Sequence, residues 1–282
     1  MIAKISNNEF ELLRRYIEEQ CGIKLNDGKE YLIESRLAKL VAETNSQNFS
    51  EFYLKITANN MPNLRDKIVD AMTTNETLWF RDQTPYYVLQ HKVLPDLMKQ
   101  LASGQRMNVR IWSAGCSTGQ EPYSIAMLVM RLCETGLYGN ISPNQFEILG
   151  TDISPTALLF AVTGRYDKLA MTRGMVEEYQ NRFFEQNNQV WVIDESVKRL
   201  IKFKRFNLQN SFGNLGSFDI IFCRNVAIYF SDEFKRNLFR KIARQLNPGG
   251  YFFIGSAESL AGYSEEFTMQ EHNKGIYYQV RK

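Results

Sequence analysis

The segment of this sequence best suited to chemistry is a glycine turn at residues 115–119, between an apolar strand and a helix. Val109, Ile111 and Trp112 are typical of a buried strand, and apolar residues after Ser124 recur at helical spacing. Glycine permits a tight turn and a close approach to a ligand, and the amides that open a helix point toward that ligand. The segment therefore predicts a nucleotide-binding turn.

The spacing of the glycines narrows the class of nucleotide. Gly115 and Gly119 are separated by three residues, which fits neither the dinucleotide fingerprint G-x-G-x-x-G nor a P-loop, because no Gly-Lys-Ser/Thr follows. This argues against NAD and ATP. A plain connection between a strand and a helix of a sheet is the alternative.

A second predicted strand, Phe146–Asp152, ends in an acid, and Pro155 stands where a helix can begin. In doubly wound sheets an acid at this strand end binds ribose hydroxyls. Asp152 lies further from the glycines than the usual interval of about 20 residues, and a long helix through about Glu134 with a loop accounts for the gap. A helix cap, formed by Asp152 or Ser154, is the alternative.

Composition limits the other function classes. The chain has 282 residues, 44% of them apolar, and 34 basic against 31 acidic side chains, which predicts about two globular domains without a marked affinity for nucleic acid. Its four cysteines form no C-x-x-C pair and it has two histidines, so neither a metal site nor a disulfide framework is predicted. Residues 1–13 lack the apolar run of a signal peptide and no segment resembles a membrane span, so we expect a cytoplasmic protein without membrane insertion.

The elements that must position these residues form an α/β protein. Residues 1–72 show only helical periodicity, residues 73–106 are predicted as a helical linker, and strands alternate with helices over 107–282, which indicates a parallel sheet covered on both faces. The predicted strands are 108–114, 146–151, about 200–206, 218–223 and 250–256, followed by an antiparallel hairpin over 267–280.

The stretch from Gly164 to about Arg199 is too long for a simple crossover and contains the strand-like Gln189–Ile193. We predict an inserted antiparallel β-subdomain at about 164–205, in which Gln189–Ile193 pairs partly with Ile201–Lys204.

Four segments together carry a resemblance to a known family: Thr74–Arg81, Gly115–Ser124, Gly150–Asp152 and Phe218–Phe230. They resemble the chemotaxis-receptor glutamate methyltransferases, the CheR family, over essentially the whole chain. The resemblance implies an all-α N-terminal domain and a Rossmann-like domain that binds S-adenosylmethionine and releases S-adenosylhomocysteine. It also implies esterification of glutamates on the cytoplasmic helices of methyl-accepting chemotaxis receptors, by a monomer.

The resemblance assigns site residues position by position. It implies that Arg81 and Tyr229 flank the reactive methyl group, that Glu121 reaches the cofactor, and that Asp152 binds its ribose. The other cofactor-binding positions that it implies are Asn75, Thr77, Arg81, Ala114, Asn207, Leu208, Arg224 and Asn225. Trp79 and Ala227 depart from the usual residues of the family, and both changes are apolar.

These residues suit methyl transfer to a carboxylate. A glutamate has a free pKa of about 4.3 and is already anionic at neutral pH, so no general base is required. Arg81 can hold the carboxylate through its planar fork, and Tyr229 can donate one hydrogen bond. The alternatives are an ion pair of Arg81 with Glu76 or Asp82, a merely packed Tyr229, and a turn role for Asn207.

A basic helical face formed by Lys29, Arg36 and Lys39 is a candidate surface for an acidic receptor helix, although such faces are usually only solvated.

Three other functions compete. Residues 115–119 also fit the G-x-S-x-G elbow of α/β-hydrolases, with Ser117, Asp219 and His272 in the proper order, but no oxyanion segment precedes them. Methylation of nucleic-acid amino groups usually needs an Asn/Asp-Pro-Pro-aromatic tetrad, where this chain has Arg224–Ala227. A non-catalytic receptor-binding adaptor would need a broken cofactor pocket.

Overall fold

The N-terminal domain is a bundle of four helices in a computed structural model that describes residues 4–58, 61 and 63–281. The predicted limits at residues 1 and 282, and the start of the segment 1–13, lie outside the described residues. The helices are α1 (Asn7–Cys21), α2 (Glu30–Glu43), α3 (Phe49–Thr57) and α4 (Leu64–Met72). Their apolar faces, including Leu13 and Leu37, share one buried core, so the predicted helical domain is confirmed.

Local sequence sets the ends of α1. Ser6 and Glu9 form a capping box at its start, in which each side chain binds the backbone of the other residue. Gly22 ends the helix in the left-handed conformation at φ 77°. This end matters because Cys21 and Ile23 lie at the edge that faces the second domain.

The second domain is built on a seven-stranded sheet in the order β6-β2-β1-β7-β8-β10-β9. The strands are β1 (Val109–Ala114), β2 (Phe146–Asp152), β6 (Ile201–Arg205), β7 (Phe218–Phe222), β8 (Leu246–Phe253), β9 (Phe267–His272) and β10 (Gly275–Val280). The first five strands of this order are parallel and β10 runs antiparallel to both neighbours, as predicted. The strand predicted over 250–256 in fact begins at Leu246 and ends at Phe253.

Helices cover both faces of this sheet. They are α5 (Thr84–Val88) and α6 (Leu94–Ala102), joined by a π-helical turn, then α7 (Gln120–Glu134), α8 (Pro155–Thr163) and α12 (Asp232–Gln245). The prediction of a helical linker over 73–106 is wrong at its start, because helix begins only at Thr84. The apolar residues of α5 and α6 pack into the same core as Val109 and Ile111, so this segment is part of the second domain.

A separate three-stranded antiparallel sheet forms the predicted insertion. Its order is β3-β5-β4, with β3 at Arg165–Asp167, β4 at Phe184–Asn187 and β5 at Val190–Ile193. The predicted pairing of β5 with Ile201–Lys204 is wrong, since β6 pairs in parallel with β2 in the main sheet. Two short helices, α9 (Lys168–Thr172) and α10 (Glu177–Phe183), lie between β3 and β4, and a third, α11 (Glu195–Lys198), is capped by Asp194 and separates β5 from β6. The insertion therefore ends before β6 and does not extend to residue 205.

Polar side chains join the two domains. Asp66 of α4 pairs with Arg205 at the end of β6, and Asp70 accepts hydrogen bonds from the hydroxyls of Ser154 at 2.5 Å and Thr156 at 2.7 Å. The backbone N–H of Lys24 also donates a hydrogen bond to the Tyr229 carbonyl at 2.8 Å, which is a direct contact between the backbones of the two domains. The helical domain is thus fixed against the carboxyl edge of the sheet.

Arg36 belongs to this junction rather than to a free basic face. Its guanidinium donates to the Met72 carbonyl at 2.6 Å and to the Thr74 hydroxyl at 3.0 Å, just where the chain leaves the helical domain. Of the three cations in the predicted docking face, Lys29 and Lys39 are exposed and Arg36 is half-buried. The prediction of a basic face is therefore wrong for Arg36, whose guanidinium is used in a tertiary contact, and a docking role of the exposed Lys29 and Lys39 stays a prediction.

The junction yields a stability prediction. Asp70→Ala should lower the free energy of unfolding by about 1–3 kcal/mol, because the hydroxyl of Ser154, which lies in a fully buried residue, loses its acceptor. Urea denaturation measures this change. Asp27→Ala is the matched control, since the Asp27 side chain is 91% exposed and pairs only on the surface, and its urea midpoint should not move. Equal midpoints for the two variants would contradict this account of the junction.

Candidate active site

A cleft opens between the carboxyl edge of the main sheet and the helical domain. It encloses about 920 Å³, its open mouth included. The predicted site residues that line it are Asn75, Thr77, Arg81, Glu121, Asp152, Asn207, Leu208, Arg224, Asn225 and Tyr229.

Ala114 is the predicted site residue that does not line the cleft. It is 1% exposed and packs with Trp112 in the core on one face of the sheet, because alternate residues of β1 point to the same side. Gly115, the next residue, does reach the cleft. The side chain of Ala114 is therefore not part of the cleft wall, and its assignment to the cofactor stays a prediction.

Asp152 organises the glycine turn at residues 115–119, which we call the nucleotide turn. Its Oδ2 accepts from the backbone N–H of Ser117 at 2.7 Å, and its Oδ1 accepts from that of Ser154 at 2.9 Å. Ser117 has a left-handed φ of 50°, and the Asp152 carboxylate holds the amide of that strained residue. Burial raises the pKa of Asp152, while the backbone donors oppose the rise. Each carboxylate oxygen keeps a lone pair that can accept from a ligand hydroxyl.

The helix-cap alternative holds for Ser154 and not for Asp152. The Ser154 hydroxyl accepts from Ala157 N at 3.0 Å at the start of α8, whereas Asp152 binds the amide of Ser154 itself.

A buried ionic network lies beneath the cleft. The guanidinium of Arg224, whose side chain is 1% exposed, pairs with Asp82 at 2.7 Å and with Glu121 at 3.1 Å. The other oxygen of Glu121 accepts from the Ser113 hydroxyl at 2.8 Å. Burial raises the pKa of Glu121, against the opposing effect of Arg224.

Arg81 differs from Arg224 in its partners. Its guanidinium donates to the backbone carbonyl of Glu76 at 3.1 Å. The carboxylates of its two predicted ion-pair partners are engaged elsewhere, that of Glu76 by Arg173 at 2.5 Å and that of Asp82 by Arg224. Over residues 4–58, 61 and 63–281, Arg81 has no carboxylate partner, so the predicted alternative of a surface ion pair is wrong. Its positive charge faces the cleft without a counter-ion from this part of the chain.

Asn225 contributes an unsatisfied acceptor. It follows β7 in the left-handed conformation, at φ 59°, and its backbone N–H donates to Glu258 Oε2 at 2.7 Å. Its side-chain Oδ1 is buried and has no hydrogen-bond partner among the described residues. Buried acceptors are nearly always paired, so this atom fits a site that a polar ligand completes.

Asn207 and Leu208 hold the far wall of the cleft. Asn207 donates to the Gln20 carbonyl at 2.9 Å and accepts from Gln209 N at 2.9 Å, so the predicted turn role is also present. Lys241 donates to the backbone carbonyls of this loop, including that of Leu208. Burial lowers the pKa of Lys241 to about 8.

Sequence reasoning missed the contribution of the helical domain to the cleft. Cys21 and Ile23, at the end of α1, line it beside Tyr229, whose neighbour Phe230 forms a β-bridge with Ile23. Both domains therefore contribute residues to the cleft. Gly22 between these two residues marks the end of α1 in the sequence, but nothing local indicates which domain they face.

The hydrolase alternative fails on geometry. The Ser117 hydroxyl donates to the Asn75 carbonyl at 3.0 Å, while Asp219 binds Arg110 N at 2.8 Å near the amino ends of β1 and β7. His272 lies in the terminal hairpin, with its ring 6.4 Å from that of Tyr87. These three groups cannot form a triad.

In the described part of the chain, no helix has the length and apolarity needed to cross a membrane.

Known proteins match this chain over almost all its length. Residues 75–276 match the family described as "CheR methyltransferase, SAM binding domain", and residues 8–73 match "CheR methyltransferase, all-alpha domain". The chain is 42% identical over 276 residues to "Chemotaxis protein methyltransferase Cher2" of Pseudomonas putida, with 98% of each protein covered. It is 33% identical to a chemotaxis protein methyltransferase of Borreliella burgdorferi, over 92% of this chain and 90% of that protein. Among solved structures, it is similar to PKMT2 from Rickettsia typhi in complex with AdoHcy, at 15% identity and a TM-score of 0.38, over 64% of this chain and 26% of that one.

The glycine turn gives the second prediction. A Cβ added at Gly115, where φ is +79°, would lie 2.5 Å from Val226 Cγ2, whereas at Gly104, where φ is +73°, it would meet nothing within 4 Å. Both alanine variants should lose about 1 kcal/mol of stability through the positive φ. Only Gly115→Ala should lose about 1–3 kcal/mol more, because the side chain of Val226 must move to make room for the methyl group. Thermal unfolding of the matched pair measures the difference, and similar losses in both would refute the close approach.

Proposed function

Because the chain belongs to the CheR methyltransferase family, we propose that this S-adenosylmethionine-dependent methyltransferase of chemotaxis esterifies glutamate side chains. The proposed acceptors lie on the helical cytoplasmic region of chemotaxis receptors, so the reaction takes place in the cytoplasm. We further propose that the enzyme acts as a monomer, without nucleic acid.

One observation carries the choice of acceptor. Arg81 presents a guanidinium to the cleft, and the acids next to it, Glu76 and Asp82, are paired with other arginines. A planar guanidinium binds a carboxylate through two parallel hydrogen bonds and so fixes which oxygen faces the cofactor. A glutamate side chain of a substrate supplies this missing partner.

The residues around Arg81 fit the cofactor. S-adenosylmethionine supplies an electrophilic methyl group on a sulfonium sulfur. We assign the ribose hydroxyls to the free lone pairs of Asp152, and a polar group of the methionine or adenosine part to Asn225 Oδ1. Asn75, Thr77, Glu121 and Leu208 complete the walls of the same cleft, and Asn207 and Arg224 act mainly through their contacts to the protein.

The residues of the chain need only position and desolvate the reactants. Since the acceptor carboxylate is already ionised near neutral pH, no residue has to remove a proton from it. Holding two reactants in near-attack geometry supplies roughly 7–11 kcal/mol of a barrier. The placement of the cleft between two domains supports a role in desolvation, because residues of both domains line it, Cys21 and Ile23 from one and Tyr229 from the other.

The direct test is incubation of the protein with S-adenosylmethionine labelled in the methyl group and membranes that contain chemoreceptors. We expect label in the receptors that mild base releases as methanol, because methyl esters hydrolyse under conditions that leave methylamines intact. Receptors with the acceptor glutamates changed to alanine serve as the control. Base-stable label, or none, would contradict the proposed chemistry.

Substitutions of Arg81 and Tyr229, the two residues assigned to the methyl-transfer site, should reduce turnover to different extents. Arg81→Ala should reduce turnover by about 10²-fold or more, because a desolvated carboxylate loses its cation, and Tyr229→Phe should reduce it less, because one neutral hydrogen bond is lost. Binding of S-adenosylhomocysteine, measured by calorimetry, should change little in both. Near-normal turnover of Arg81→Ala at saturating cofactor would remove Arg81 from the assigned role.

A further inference from the structure

We infer that Arg224 is a positioning residue that fixes the turn carrying Arg81. The inference rests on the proposed function, since it assigns Arg224 a part in aligning the acceptor carboxylate. Arg224 follows β7, the fourth parallel strand in chain order, and is one of the residues that line the cleft.

The contacts of Arg224 are with the protein. One terminal nitrogen donates to Glu121 at 3.1 Å, and the other donates to Asp82 at 2.7 Å and to the backbone carbonyl of Arg81 at 2.8 Å. The side chain is 1% exposed. The guanidinium of Arg224 also lies over the Tyr86 ring, with its central carbon 5.7 Å from the ring centroid. The protein therefore engages both terminal nitrogens of this guanidinium, whereas its Nε is buried and has no hydrogen-bond partner among the described residues.

The turn that Arg224 holds needs an external support. Phe80, Asp82 and Gln83 all have left-handed φ values, of 46°, 66° and 49°. Residues other than glycine adopt this conformation only where surrounding structure imposes it. Arg81 lies within this strained run, so the direction of its side chain depends on what fixes the backbone on either side.

Hydrogen bonds through Glu121 connect Arg224 to a strand and a helix of the second domain. Glu121, in the first turn of α7, accepts from Arg224 with one oxygen and from Ser113 of β1 with the other. Arg224 therefore ties the Arg81 turn to β1 and α7, the same elements that form the nucleotide turn. This connection sets the separation between the cofactor and the acceptor-binding guanidinium.

The test compares Arg224→Lys with Asp82→Asn and uses Arg110→Lys as a matched control. Arg110 also clamps backbone carbonyls, those of Ser217 at 2.6 Å and Leu215 at 2.9 Å, but at the opposite end of the sheet. Lysine keeps the charge and loses the planar fork, so Arg224→Lys should lower kcat about 10-fold or more. Its Kd for S-adenosylhomocysteine should stay within about 3-fold of wild type, and the control should match wild type in both measurements.

A double-mutant cycle separates positioning from general damage. If Arg224 acts through Arg81, Arg224→Lys should lower kcat by less than about 2-fold in an Arg81→Ala background. A full loss in that background would overturn the inference, and so would weakened product binding with normal kcat, which is the behaviour of a cofactor ligand.

If Arg224→Lys does not fold, the exposed partner variant Asp82→Asn decides: lowered kcat with normal product binding supports the inference, and normal kcat overturns it. Failure of wild type to form esters would instead refute the proposed function.

Discussion

The structure of the site depends on one carboxylate, that of Asp152. It accepts hydrogen bonds from the amide of Ser117, in the turn after β1, and from the amide of Ser154, at the start of α8, so a single side chain fixes two loops at the edge of the cleft. Ser154 in turn donates to Asp70 of the helical domain. The same short chain of hydrogen bonds therefore shapes the nucleotide turn and sets where the second wall of the cleft stands.

Two arginines divide the electrostatic work at this edge of the sheet. The charge of Arg224 is neutralised within the protein by Asp82 and Glu121, which gives the Arg81 turn a rigid base. The charge of Arg81 has no such partner in the described residues and faces the cleft. The acids next to Arg81 in the chain, Glu76 and Asp82, are held by Arg173 and Arg224, so the guanidinium of Arg81 remains available to a ligand of the cleft.

Features set by nearby residues could be predicted from the sequence. The glycine turn, the acid that ends β2 and the helix that begins at Pro155 depend on local backbone preferences and are found where the sequence places them. The pairing of β6 and the use of Arg36 could not be predicted, because each depends on a partner distant in the chain. For the same reason, nothing in the sequence around Cys21 and Ile23 shows that they line a cleft in contact with the other domain.

The measurement that tests the role of Asp152 most directly is calorimetric titration of wild type and Asp152→Ala with S-adenosylhomocysteine. We predict that Asp152→Ala weakens binding by roughly 1–3 kcal/mol, because the ribose loses a charge-assisted acceptor and the turn at Ser117 loses its support. Affinity equal to that of wild type would show that the ribose binds elsewhere, and would contradict the dependence of the site on the Asp152 carboxylate.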